Sequence, residues 1–205
     1  GITTDGTNFY VADTENHLIR KIVIATGVVS TIAGSTSSGS TDATGTAARF
    51  NKPRAITTDG TNLYVADNSN HKIRKIVIST GVVTTLAGST QGFQDGTGTS
   101  AKFNNPHGII KVGNNLYVAD SVNHKIRKIV ISTGAVTTLA GSGSAGSTDA
   151  AGTAASFNVP MGIAFDGTNL YVVDYAGHKI RKIALRRTET ENVALHNLDD
   201  DTDIT

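Results

Sequence analysis

One phrase, written four times, constrains the fold of this 205-residue chain more than any other feature: NFYVADTENHLIRKIVI from Asn8, NLYVADNSNHKIRKIVI from Asn62, NLYVADSVNHKIRKIVI from Asn115 and NLYVVDYAGHKIRKIAL from Asn169. The copies begin 54, 53 and 54 residues apart. Spacing this regular means that one supersecondary unit has been copied in tandem and that neighbouring copies cover each other's apolar faces.

The wording within a copy is that of short strands and turns. In the second, Asp59-Gly60-Thr61-Asn62 is a turn between a short apolar strand around Ile56 and the β-prone Leu63-Tyr64-Val65-Ala66-Asp67. After a polar break at Asn68-Ser69-Asn70, Lys72 to Ile78 forms a third strand, and Ser79-Thr80-Gly81 turns the chain into a fourth over Val82 to Ala87. First strands are expected to start near Ile2, Ile56, Ile109 and Ile163. Ile73 and Ile76 fall on opposite parities, so the third strand either carries a bulge or is buried on both faces. A four-stranded meander cannot bury two faces alone, which predicts an all-β fold, a β-propeller whose blades pack face to face. A β-solenoid is disfavoured, because its coils need no hairpin turns.

The connections are copied too. Gly34 to Asn51, Gly88 to Asn104 and Gly141 to Asn158 each carry D-x-x-G-T-x-A-x-F-N ahead of a proline. Phe50, Phe103 and Phe157 should pack, since Phe supplies a large area to bury, while the Gly/Ser stretches before them should lie at the surface.

Three polar residues recur in every copy: Asp13, Asp67, Asp120 and Asp174; His17, His71, His124 and His178; Arg20, Arg74, Arg127 and Arg181. A catalytic site is normally unique, whereas a group stamped into each copy more often ties strands together through hydrogen bonds. These residues are therefore read as a structural network, with the His ring or Arg fork of the same copy donating to a buried carboxylate. Outside the repeated position only His107 and His196 remain, too few for a catalytic metal, and with no Cys neither a thiol nucleophile nor a disulfide exists. No catalytic residue, metal ligand or cofactor is assigned. GxSxG, P-loop and HExxH spellings are missing, as are an N-x-[ST] sequon and an apolar run long enough to span a bilayer. Eleven of the 18 basic side chains sit on third strands, but no aromatic residues interleave with them, which disfavours nucleic acid as a partner. Residues 1–185 hold 16 Lys and Arg against 11 Asp and Glu, while 186–205 hold 2 against 6, so an acidic end follows a basic body.

Taken in order, P-x-G-I, L-Y-V-A-D, N-H-x-I-R-K-I and V-x-T-L-A-G resemble the NHL repeat over residues 1 to about 185. The resemblance implies NHL-type four-stranded blades, here over about 1–50, 51–104, 105–158 and 159–185, with the first two strands nearest a channel. Six blades are usual in that family, so four imply part of a larger ring or assembly. Residues 186–205 then form a divergent last strand or an acidic tail. In such propellers the turn after the second strand and the connection emerge on one face. There the copies differ: Arg54, His107 and Met161 share one position, and Glu15, Ser69, Val122 and Tyr175 stand in the turns. These seven are the candidate binding residues. The resulting expectation is a non-enzymatic binding or scaffold module with a protein, peptide or glycan partner, or self-association, outside the cell or at its surface. The alternative is a propeller lyase or hydrolase with a metal at the channel mouth, since the resemblance extends to peptide-amidating and virginiamycin-type lyases.

Overall fold

Each copy of the repeated phrase supplies the second and third strands of one antiparallel sheet. The structure, a computed structural model, describes residues 1–185; the divergent strand or acidic tail expected over 186–205 lies outside the described residues. The first sheet holds β1 (Ile2–Thr4), β2 (Asn8–Asp13), β3 (Leu18–Val23) and β4 (Val29–Gly34). The second holds β5 (Pro53–Thr58), β6 (Asn62–Asp67), β7 (Lys72–Val77) and β8 (Val83–Ala87). After the short β9 (Gly96–Thr97), the third is formed by β10 (Pro106–Val112), β11 (Asn115–Asp120), β12 (Lys125–Val130) and β13 (Ala135–Ala140), and the fourth by β14 (Pro160–Phe165), β15 (Asn169–Asp174) and β16 (Lys179–Ala184). Apart from β9, order within each sheet follows the chain, giving an all-β, propeller-like series of meanders. Among the described residues no helix is long and apolar enough to cross a membrane.

Three first strands begin earlier than the sequence suggests. Pro53, Pro106 and Pro160 pair with Asp67, Asp120 and Asp174, and the register shifts before Ile56, Ile109 and Ile163 resume the ladder. Proline is tolerated there because it opens the strand, where a missing N–H costs least. The parity conflict in the third strand is resolved both ways at once. A register shift separates Ile73 from Arg74 against β8, with the same shift at Ile19/Arg20 and Ile126/Arg127, and Ile73, Arg74 and Ile76 are all buried.

A connection runs back along the outer edge of the sheet it leads into. β9 pairs with β13, which makes the third sheet five-stranded, and Thr44 bridges to Val82 at the same place in the second. Covering the edge removes unpaired backbone groups from solvent. Apolar cores lie between successive sheets: Tyr10, Ile19 and Phe50 with Leu63, Val65 and Ile76, then Tyr64, Ile73 and Phe103 with Leu116, Val118 and Ile129. Ile126, Phe157 and Val172 repeat the pattern.

Where first strands meet, backbones nearly touch. A Cβ on Gly108 would stand 2.1 Å from the Met161 carbonyl oxygen. At the end of the fourth strand, Gly88 has φ +94° and a Cβ there would lie 2.4 Å from the His71 oxygen, so both conformation and space demand glycine. Gly88→Ala should therefore lower the unfolding free energy by about 2–3 kcal/mol, measured by urea denaturation; an unchanged midpoint would show that the strand end relaxes freely.

The hairpin turns are built around a carboxylate. Asp59 accepts the N–H groups of Thr61 and Asn62 at 2.9 and 2.6 Å and the Tyr64 hydroxyl at 2.8 Å. Burial works upward on this carboxyl, yet the hydrogen bonds from Asn62, Tyr64 and Thr61 prevail and hold it at about 2. Asp5 and Asp166, in the same turn of the first and fourth sheets, are also held well below the usual carboxylate range. A carboxyl whose folded pKa is depressed contributes stability above its unfolded value of about 3.9 and loses it as pH falls through the folded value. Stability should thus decline from pH ~4 to ~2, and Asp59→Asn should flatten that decline in urea titrations at stepped pH.

Candidate functional site

Asp67 closes β6 and Arg74 stands in the middle of β7, both with fully buried side chains. Arg74 Nη1 donates to Asp67 Oδ2 at 2.8 Å and to the Arg49 carbonyl at 2.9 Å, while Nη2 donates to the Thr41 carbonyl at 3.1 Å and Asp42 Oδ1 at 2.5 Å. Phe50 lies against the guanidinium, 5.1 Å from its centre. The second oxygen of Asp67 accepts the Asn51 N–H at 2.8 Å, and Asn70 donates to the first at 2.8 Å. Every partner from Thr41 to Asn51 belongs to the connection entering this sheet.

The geometry repeats. Arg127 joins Asp120 at 2.7 Å, Asp95 at 2.6 Å, two connection carbonyls and the Phe103 ring; Arg181 joins Asp174 at 3.2 Å, Asp149 at 2.6 Å, two carbonyls and Phe157. Burial pushes the Asp67 and Asp120 carboxyls upward, against hydrogen bonds from Asn70, Asn51, Asn104 and Asn123 and the charges of Arg74 and Arg127. Asp42, Asp95 and Asp149 are members of the cluster that the motif reading did not join to it, although their fixed place in the copied connections was the available signal.

The histidines take another role than donor to the neighbouring carboxylate. His17, His71 and His124 adopt the left-handed conformation, and their Nδ1 atoms accept the backbone N–H of Lys52, Asn105 and Val159, each at 3.1 Å. Those three partners also have positive φ. Each imidazole thus holds the strained entry to the next sheet. The residue after the Asp assists: Thr14, Asn68 and Ser121 side chains donate to the carbonyls of Pro53, Pro106 and Pro160 at 2.7, 3.0 and 2.5 Å. His178 shares the conformation but has no such partner among the described residues.

The first copy departs from the pattern. Asp13 accepts only the Asn16 amide, at 2.9 Å, and Arg20 forms no ion pair or hydrogen bond among the described residues. The expected contact between these two is not made.

Arg54, His107 and Met161 sit half-buried at the starts of β5, β10 and β14, beside one another where first strands converge. Burial lowers the His107 pKa first, followed by the charges of Arg54 and the Gly1 amino group. Glu15, Ser69, Val122 and Tyr175 lie in turns at the same end, because each proline pairs with the Asp that precedes a turn. Val122 and Tyr175 are 48% and 59% exposed, and Glu15 pairs with Lys52 at 3.3 Å. No hydrogen bond or ion pair joins the turn residues to Arg54, His107 or Met161 among the described residues. Among those residues, too, no group of three or more His, Asp or Glu side chains could hold a metal ion.

Four tandem meanders, each clamped onto the connection before it or hooked to the sheet after it, define a repeat protein of the propeller-like class. No family model matches the chain. The human NHL repeat-containing protein 2 is 36% identical over 146 residues, covering 65% of this chain and 20% of that protein. The Arabidopsis thaliana protein SUPPRESSOR OF QUENCHING 1, chloroplastic, is 30% identical over 198 residues, 90% of this chain and 19% of its own length. An auxiliary nutrient binding protein of Bacteroides ovatus superposes with a TM-score of 0.69 at 26% identity, over 88% of this chain and 46% of that one. The chain belongs to the NHL-repeat family, and spans about a fifth of the length of the curated relatives it matches.

Removing one partner of a buried ion pair strands the other, so Asp67→Ala should cost about 3–5 kcal/mol. Asp13→Ala, at a half-exposed and unpaired carboxylate, should cost about 1 kcal/mol or less. Urea denaturation followed by circular dichroism checks the contrast; equal losses would mean that the ion pair is not what stabilises the sheet.

Proposed function

We propose that this chain is a non-enzymatic binding or scaffold module, with its sheets acting as four blades of a larger extracellular ring or assembly and its loops engaging a protein, peptide or glycan. One observation carries the reading. In the second and third copies the recurring Asp, His and Arg direct their polar atoms at backbone and carboxylates of adjoining segments, whereas the residues that vary from copy to copy collect at one end. In this reading Asp13, Asp67, Asp120, Asp174 and their His and Arg companions serve the fold, and Arg54, His107, Met161, Glu15, Ser69, Val122 and Tyr175 serve recognition. The nutrient-binding name of the Bacteroides relative supports a binding role. Arg and Tyr are frequent anchors of binding surfaces, having large contact areas and fixed donors.

The chain should be screened on peptide and glycan arrays. A captured ligand should bind the variant carrying Arg54→Glu and Tyr175→Ala about tenfold or more weakly, with an unchanged melting curve. Undiminished binding by that variant would move recognition away from this end of the molecule.

A further inference from the structure

Where the chain enters the second, third and fourth sheets, two consecutive amides answer to acceptors on opposite sides of the junction. The Asn104 N–H goes to the Asp120 carboxylate of the sheet being entered, at 2.7 Å, and the Asn105 N–H goes to His71 Nδ1 of the sheet being left, at 3.1 Å. Asn51 and Lys52 divide in the same way between Asp67 and His17, and Asn158 and Val159 between Asp174 and His124. A ring nitrogen that accepts a hydrogen bond carries no proton, so each of these imidazoles is neutral with its hydrogen on Nε2. A proton added at Nδ1 would set one N–H against another.

What each imidazole holds is strained. Lys52, Asn105 and Val159 have φ of +53°, +54° and +55°, a conformation costly for a residue with a Cβ and most of all for the β-branched Val159. We propose that His17, His71 and His124 form an acid-sensitive latch between successive sheets, in which protonation at Nδ1 repels the amide it holds and lets the left-handed residue relax while each sheet keeps its own ladder. The bonds from Thr14, Asn68 and Ser121 to the proline carbonyls do not titrate, so acid loosens the junctions without parting them.

Histidine ordinarily titrates near pH ~6.5, which puts the latch in a mildly acidic window. Asp67 and Lys72 flank His71 on its own sheet, and Lys102, His107 and Asp120 on the segment and sheet that follow. Asp67 and Asp120 are paired with Arg74 and Arg127, Lys72 donates to Ser40, and burial is the cause that moves the His71 pKa, downward. Asp13, Asp67 and the Glu15–Lys52 pair border the first latch, and Asp120, Lys125 and Asp174 the third. A histidine whose folded pKa is depressed contributes stability above its unfolded value and loses it as pH falls through that value. The Asp67 and Asp120 carboxyls, pushed upward by burial, act in the opposite sense, because there the folded state binds the proton more readily. The latch also sits among the proposed recognition residues, His71 two positions after Ser69 and Asn105 two before His107. On that reading, which the latch itself does not require, acid would loosen the spacing of the recognition end.

Amide hydrogen exchange, followed residue by residue by NMR and corrected for the intrinsic effect of pH, tests the latch on the 205-residue chain. From about pH 7.5 to about 5.5, protection at Lys52, Asn105 and Val159 should fall about tenfold, while Asn51, Asn104 and Asn158, held by carboxylates, should change less than about twofold. In His71→Asn the fall at Asn105 should vanish, since Oδ1 takes the place of Nδ1, does not titrate and suits a left-handed residue. His71→Ala should leave Asn105 unprotected at both pH values. Should either variant fold poorly, nitrogen-15 titration of the unaltered chain decides: the His71 ring and the Asn105 amide should share one midpoint. Equal loss at both amides of each pair, no loss at either, separate midpoints, or a fall at Asn105 that survives in His71→Asn would overturn the proposal. A recognition surface elsewhere on the molecule would leave every one of these outcomes unchanged.

Discussion

A buried guanidinium held by two carboxylates, one from its own sheet and one from the incoming connection, is the constraint on which the rest of the structure depends. Arg74 carries the geometry in full: Asp67 fixes one nitrogen, Asp42 the other, and both also reach backbone carbonyls. A fully buried charge is costly unless its hydrogen bonds are met. Meeting them requires the connection to lie in one path, with Phe50 under the fork and Asn51 on Asp67. A stretch rich in Gly and Ser, which by composition alone would wander, is thereby given a course. The outer edge of the sheet is covered as a consequence.

A second link runs the other way along the chain. The left-handed imidazoles of His17, His71 and His124 accept N–H groups from residues that are themselves left-handed, including the β-branched Val159. Positive φ in such a residue is strained. The strain persists because the histidine ahead and the proline behind hold the backbone from both sides. Fork and imidazole together bind the second and third sheets to the connection before each and to the sheet after it, so the apolar cores between sheets are assembled at fixed spacing.

Much of this was legible in the residues. The period, the DGTN and STG turns and the parity conflict at Ile73 and Ile76 specified four antiparallel units and a distorted third strand. The copied Asp, His and Arg announced a network by being copied. What periodicity could not supply was the partner of each member. The ion pair between Arg74 and Asp42 spans 32 residues, and no strand or turn rule connects two groups that far apart. The role of the imidazoles is hidden for a similar reason. As part of the N-H wording, His71 looks like a donor to the nearby Asp, and only the left-handed backbone turns its ring toward Asn105. The isoleucines mark the regular part of each first strand but not its start, since Pro53, Pro106 and Pro160 already pair with an Asp and the register then shifts.

The 32-residue reach of the fork bears on how the molecule is made. Arg74, Arg127 and Arg181 all find their second carboxylate the same distance upstream, so every connection leaves the ribosome before the sheet that will grip it. No member of the series waits for a distant stretch of chain. Nearest-neighbour architectures of this kind keep loop-closure costs low and uniform. A nascent chain can therefore settle one unit at a time in the order of synthesis, each finished sheet presenting the imidazole and core face on which its successor condenses.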